Sequence, residues 1–150
     1  MIYSIDVRID TPVRDTEVTD RVADAVRNVF PDADPVHEDG RLVAEAHTLD
    51  AFSDVLHEQE ILDTARRVFR RNSTDEGFSF ALKKQAAFEG VVNFSVGEPD
   101  ELGDIAVDVR VREPGVMEFI DYVAPETDDG QPVDPVREYG DRYEPDVDDY

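Results

Sequence analysis

The chain has 150 residues, 40% of them hydrophobic, and sets 37 Asp and Glu against 15 Lys and Arg, for a formal charge of −22. That balance excludes a generally basic nucleic-acid coat and a polybasic membrane binder. The absence of cysteine excludes disulfides, iron–sulfur clusters, zinc fingers and thiol catalysis together.

Residues 2–10 alternate, with Ile5, Val7 and Ile9 on one side and Ser4, Asp6, Arg8 and Asp10 on the other, which predicts a strand with one wet face ended by Thr11-Pro12. Asp15 or Thr16 is the expected cap of a helix carrying Val18, Val22, Val26, Val29 and Phe30, and Pro31 stops it. Glu38-Asp39-Gly40-Arg41 is a hairpin signal, because Asp-Gly supplies positive φ, and Leu42, Ala44 and Ala46 share a face of its second arm. Thr48 or Asp50 caps a helical region bearing Phe52, Val55 and Leu56. A break near His57 to Glu60 leads into Ile61, Leu62, Ala65, Val68 and Phe69.

Asn72 to Gly77 is a polar loop. Phe78, Phe80 and Leu82 begin a strand, and Gly90 to Phe94 reads as a short strand after a bend. Ile105, Val107, Val109 and Val111 alternate with Ala106, Asp108, Arg110 and Arg112 in the clearest strand of the sequence. Pro114-Gly115 turns into a last helix with Val116, Phe119, Ile120 and Val123, closed by Pro125. Adjacent strands joined by tight turns require antiparallel pairing, so the expected class is α+β, a mostly antiparallel sheet with helices packed on one face. One domain over 1–125 is expected, followed from 126 to 150 by an acidic, flexible tail with ten acids and three prolines.

Asp outnumbers Glu 23 to 14 and Arg outnumbers Lys 13 to 2, a bias matching the proteins of salt-loving archaea. At 1 M salt the Debye length is only about 3 Å, so exposed carboxylates scarcely repel one another. Net charge here reports solvent before it reports partner. The apolar runs are all far shorter than the roughly 20 residues that span a bilayer, and Met1 to Asp6 lacks the basic and apolar regions of a signal peptide. No membrane association and a cytoplasmic location are expected.

No catalytic constellation stands out. His37, His47 and His57 lack HExxH or HxH spacing, so no metal is expected. There is no Gly-x-Ser-x-Gly elbow and no phosphate-binding glycine loop, and among 37 carboxylates a catalytic pair cannot be told from chance. The expectation is a non-enzyme without cofactor.

The informative feature is a local reversal of sign. Arg66, Arg67, Arg70 and Arg71 crowd into six positions, and on a helix they fall within roughly a 140° arc opposite Ile61, Leu62, Ala65, Val68 and Phe69. Arginine forks match phosphate geometry, so this face suits a nucleic-acid backbone. Asp63 at i+3 and i+4 offers a local partner to Arg66 or Arg67, but none to Arg70 or Arg71, which instead lie where cations favour the helix dipole. Lys83 and Lys84 are the chain's only lysines, and Gln85 beside them adds a donor and an acceptor suited to base edges or ribose. Phe88 and Phe94 are either core residues or stacking surfaces.

Ile61-Leu62-Asp63-Thr64-Ala65-Arg66, Leu82 to Phe88, Gly90 to Phe94 and Ala124 to Val133 together resemble an uncharacterised archaeal protein family, over about residues 2 to 133. The resemblance implies a small cytosolic α+β protein with a ribosomal-protein-L-five-like fold and an RNA or ribonucleoprotein partner. On that reading Arg66, Arg67, Arg70 and Arg71 grip phosphates while Lys83, Lys84 and Gln85 contact backbone or sugar. The alternative is a protein-interaction module, a homodimer pairing through an exposed sheet edge.

Overall fold

A computed structural model describes residues 3–97, 102–128 and 131–132. Five strands form one sheet in the order β2-β3-β1-β5-β4, every neighbouring pair antiparallel. They are β1 (Ser4–Pro12), β2 (Val36–Glu38), β3 (Arg41–Ala46), β4 (Gly77–Lys83) and β5 (Asp104–Glu113). Helices α1 (Thr19–Val29), α2 (Asp50–Glu58), α3 (Leu62–Arg71) and α5 (Val116–Val123) are joined by a single turn, α4 (Lys84–Ala87). A two-stranded antiparallel sheet, β6 (Thr127–Asp128) with β7 (Gln131–Pro132), follows.

Alternation decides which face of the sheet is dry. Ile5, Val7 and Ile9 of β1, Val107, Val109 and Val111 of β5, and Phe78, Phe80 and Leu82 of β4 are buried, while the residues between them are exposed or partly so. The helices supply the opposing layer. Phe52 stacks between Phe30 and Phe80 at ring-centre distances of 4.6 and 5.5 Å, and Phe69 of α3 packs against Phe78 and Phe80 at 4.8 Å each. The expected class therefore holds: an antiparallel sheet with helices on one face.

Two turns show why these residues were needed. Asp39 and Gly40 adopt φ of 46° and 78°, the double positive φ that joins β2 to β3 with the right twist. A Cβ at Gly77 would collide with the Val109 carbonyl oxygen, so only glycine lets β4 begin this close to β5.

The local expectations fail at identifiable places. Neither Asp15 nor Thr16 caps α1, which starts later behind Val18 without a side-chain cap. Glu17 instead caps the preceding turn, its Oε1 accepting from the Arg14 N–H at 2.8 Å. β1 runs on through Thr11 and Pro12, because Pro12 lies at the end of the register opposite Arg41. Gly90 to Phe94 forms no ladder, only a single bridge between Leu82 and Phe94. The break between α2 and α3 sits where expected, at Glu60 with φ of 59°. The paired strands β6 and β7 lie in the stretch read as tail, of which residues 129–130 and 133–150 are outside the described residues.

Candidate nucleic-acid interface

Helix α3 places its apolar residues Leu62, Ala65 and Phe69 against the sheet, which turns its arginines toward the other side. They do not all arrive there. Arg66 sits at the edge of the arc, beside α5, with its side chain only 16% exposed. Its Nη1 lies 2.6 Å from Asp121 Oδ1 and donates to the Ala124 carbonyl at 3.2 Å. Arg66 thus closes α3 onto α5, and its guanidinium is neutralised by an acid 55 positions away (Asp121, from 121 minus 66) that no local spacing rule could show.

Arg67, Arg70 and Arg71 are exposed and make no ion pair among the described residues. With Arg66, Arg67 and Arg70 line one side of an open groove of about 430 Å³ whose other walls are Asp63, Glu126 and Thr127. Asp63 does not turn to the arginines, because its Oδ1 accepts a hydrogen bond from Thr127 Oγ1 at 2.6 Å. The local acid expected to pair with the helix is therefore held by the segment that follows α5.

The second expected cluster dissolves. Instead of continuing β4 as a strand, Lys84 to Ala87 wind into one helical turn, and in that turn Lys84 and Ala87 face inward, one above the other. Lys84 is fully buried. Its Nζ donates to the Pro12 carbonyl at 2.6 Å, to the Leu102 carbonyl at 2.7 Å and to Glu17 Oε1 at 3.0 Å. Its three protons meet acceptor groups from two segments, the connection from β1 to α1 and the residue before Gly103, and Glu17 is nearly as buried, with a side chain 6% exposed. Burial holds the Lys84 ammonium below the usual lysine value, against the hydrogen bond and charge of Glu17, which favour its charged form. The assignment of Lys84 to an RNA contact is corrected here, since the ammonium has neither a free proton nor a path to solvent. Lysine rather than arginine stands there because a compact three-proton head fits this tripod and a planar fork does not.

Lys83 is half-buried, in register with Asp104, and Gln85 is exposed. They lie at the far end of β4 from α3, whose C-terminus meets the start of that strand through Asn72 Nδ2 donating to the Ser79 carbonyl at 3.0 Å. The arginine face and the Lys83–Gln85 pair are two loci, not one. Phe94 is buried against Phe69 and Phe80, and Phe88 is partly buried against the core, so both serve packing rather than stacking.

The outer face of the sheet also carries arginines, each with an acid. Arg41 reaches Asp10 at 2.6 Å, Arg110 reaches Glu76 at 3.0 Å, Arg112 bonds Asp6, and Arg8 lies 3.9 Å from Asp10. The Arg112 guanidinium, with His47 beside it, holds the Asp6 carboxyl below its ordinary range. His47 Nδ1 is 3.1 Å from Asp6 Oδ1. Among the described residues no group of three or more His, Asp or Glu is placed to hold a metal ion.

Comparison with known proteins adds what geometry lacks. A family model described as RNA binding matches residues 6–112. A UPF0200/UPF0201 protein of Archaeoglobus fulgidus is 37% identical over 131 residues, covering 87% of this chain and 40% of that protein. A UPF0201 protein of Methanopyrus kandleri is 51% identical over 82 residues, 53% of this chain and 52% of its own length. The chain thus spans about half or less of these two relatives, whereas it covers 91% of a UPF0201 protein of Methanothermobacter thermautotrophicus at 34% identity, an alignment taking in 80% of this chain. The crystal structure of a UPF0201 protein from Methanococcus jannaschii superposes with a TM-score of 0.78 at 32% identity, over 86% of this chain and 99% of that one. A second crystal structure, of an uncharacterised UPF0201 protein, gives a TM-score of 0.74 at 36% identity, over 85% and 99% of the two chains.

Proposed function

The chain belongs to the UPF0201 family, and from that premise we propose that it is a non-enzymatic RNA- or ribonucleoprotein-binding module that engages phosphates with the outer face of α3. The observation that carries the reading is the state of Arg67, Arg70 and Arg71. In a chain with 37 acids, three guanidinium groups on one exposed helix face have no carboxylate partner among the described residues. Guanidinium forks bond phosphate oxygens in pairs and keep their charge at any working pH. Arg66 supports the face from the side by fixing α3 to α5, and Lys83 with Gln85 forms a separate contact at the end of β4.

The same reading takes the acid-rich surface as an adaptation to molar salt, for which the support is the ratio of 23 Asp to 14 Glu and 13 Arg to 2 Lys. It also takes the layout as ribosomal-protein-L-five-like, supported by the five-stranded antiparallel sheet with helices on one face. A cytoplasmic location agrees with the finding that no described helix is long and apolar enough to cross a membrane. In molar salt the gain from counterion release shrinks steeply, so the bidentate hydrogen bonds must carry affinity.

The test is ultraviolet crosslinking in high-salt lysate, comparing the wild type with Arg70→Ala/Arg71→Ala. RNA recovered by the wild type and lost from the double variant is the expected result, and equal recovery removes these arginines from the mechanism. A second reading, a homodimer or partner-binding module, rests on β2. This short edge strand is exposed along its whole length, with Val36 55% accessible, and offers unpaired backbone groups to another strand. Sedimentation giving only the monomer mass at high concentration would remove the homodimer.

A further inference from the structure

We infer, building on the RNA reading above, that the α3 face takes double-stranded RNA by its phosphate backbone and is not a track for single strands. Single strands are held by a continuous electropositive groove with aromatic rings on which successive bases stack. Among the described residues neither is found around α3. Of the eight phenylalanines, seven are buried and Phe88 is partly buried against the core. The exposed aromatic among the described residues is Tyr122, whose ring lies on Tyr3 at 4.4 Å and whose hydroxyl is bound to Asp50 at 2.7 Å.

The charge pattern points the same way. Arg67, Arg70 and Arg71 stand at i, i+3 and i+4, so their side chains emerge as neighbours about 5–6 Å apart. Asp63 and Glu126 bound this patch at one end of the helix, and Asp75 and Glu76 follow it in the loop before β4. A flexible strand laid along the surface would run onto those carboxylates within two or three nucleotides. A rigid duplex crossing the helix meets the arginine row over a shorter stretch than a strand running along it, and so passes fewer of the acids at its ends. Duplex RNA is recognised mainly by shape and backbone contacts, which need no ring.

The experiment is fluorescence anisotropy on the full chain with a 20-base-pair RNA duplex and with either strand alone, across a series of KCl concentrations. The expected result is duplex binding at least about tenfold tighter than either strand, with a log–log salt slope near −3, since each neutralised phosphate contributes about −0.9. Arg70→Ala/Arg71→Ala should lower the magnitude of that slope by about two, with a fall in melting temperature no larger than the loss of their small helix-dipole gain. Single strands binding as tightly as the duplex would overturn the duplex inference and leave the RNA reading standing. Binding of neither would overturn both.

Discussion

Replacing Lys84 with methionine tests whether the ammonium belongs to the fold rather than to a ligand. Methionine keeps the length of the stem and removes the head. Glu17 would then hold a buried charge with only the Arg14 N–H donating to it, and the Pro12 and Leu102 carbonyls would each lose a donor. Breaking one side of a buried ion pair costs about 3–5 kcal/mol, because the surviving charge remains without compensation. For an ordered unit of this size 1 kcal/mol moves the melting temperature by roughly 3–5 °C, so Lys84→Met should melt about 10–20 °C lower. Glu17→Gln keeps an oxygen where Lys84 Nζ needs one and should lose less. Both are read from far-UV circular dichroism melts at fixed KCl. A Lys84→Met melt within about 1 kcal/mol of wild type, the scale of an ordinary exposed pair, would show that the ammonium is solvated and return it to the candidate interface.

Three further outcomes follow from the contacts. Arg66→Ala, which breaks the tie from α3 to Asp121 and Ala124, should cost about 1 kcal/mol of stability, a reduced charge-assisted value because Asp121 is 58% exposed, and should weaken RNA binding less than Arg70→Ala. The hydrogen bond to Asp50, with some burial and neighbouring charge, pushes the Tyr122 hydroxyl up to about 12. The stability this supplies is present in full below pH 10 and is lost as pH rises through about 12, and Asp50→Asn should move the Tyr122 ionisation down toward 10.0, followed by tyrosinate absorbance against Tyr122→Phe. Raising KCl from about 0.1 to 1 M shortens the Debye length from about 10 to about 3 Å and should raise the melting temperature by relieving repulsion among the surplus acids, whereas greatest stability in dilute buffer would contradict an adaptation to brine.

The parts of the fold legible in the sequence are those set by neighbours along the chain. Ile105 to Val111 could alternate in only one way, Asp39-Gly40 had only one use, and the break at Glu60 showed in the lapse of helical spacing. What the sequence hid depends on residues far apart in it. Lys84 and Glu17 are 67 positions apart and meet only because α4 turns Lys84 inward behind the end of β1. A scarce lysine in a lysine-poor chain was the sole sign that something was required there, and it was compatible with solvent, ligand or core. Arg66 was hidden in the same manner, since a helical wheel places it on the polar arc and only the position of α5 makes that edge a buried one.

The three remaining arginines of α3 bear on whether the helix alone explains its own charge. Arg70 and Arg71 occupy the last turn, where cations gain about 0.3–1 kcal/mol from the C-terminal dipole. That gain fades within the terminal turn and is screened by salt, so it reaches Arg67 hardly at all. Carboxylates are plentiful enough on this surface that Arg8, Arg27, Arg41, Arg110 and Arg112 each lie against one. Arg14, Arg21 and Lys83 form no ion pair among the described residues either, but they are scattered over the loop before α1, α1 itself and the end of β4. On α3 the nearest acid, Asp63, is drawn away to Thr127, which leaves three adjacent forks turned outward together. Dipole and local pairing account for Arg70 and Arg71 in part and for Arg67 hardly at all, and on the proposed reading a phosphate backbone laid across the helix would engage all three.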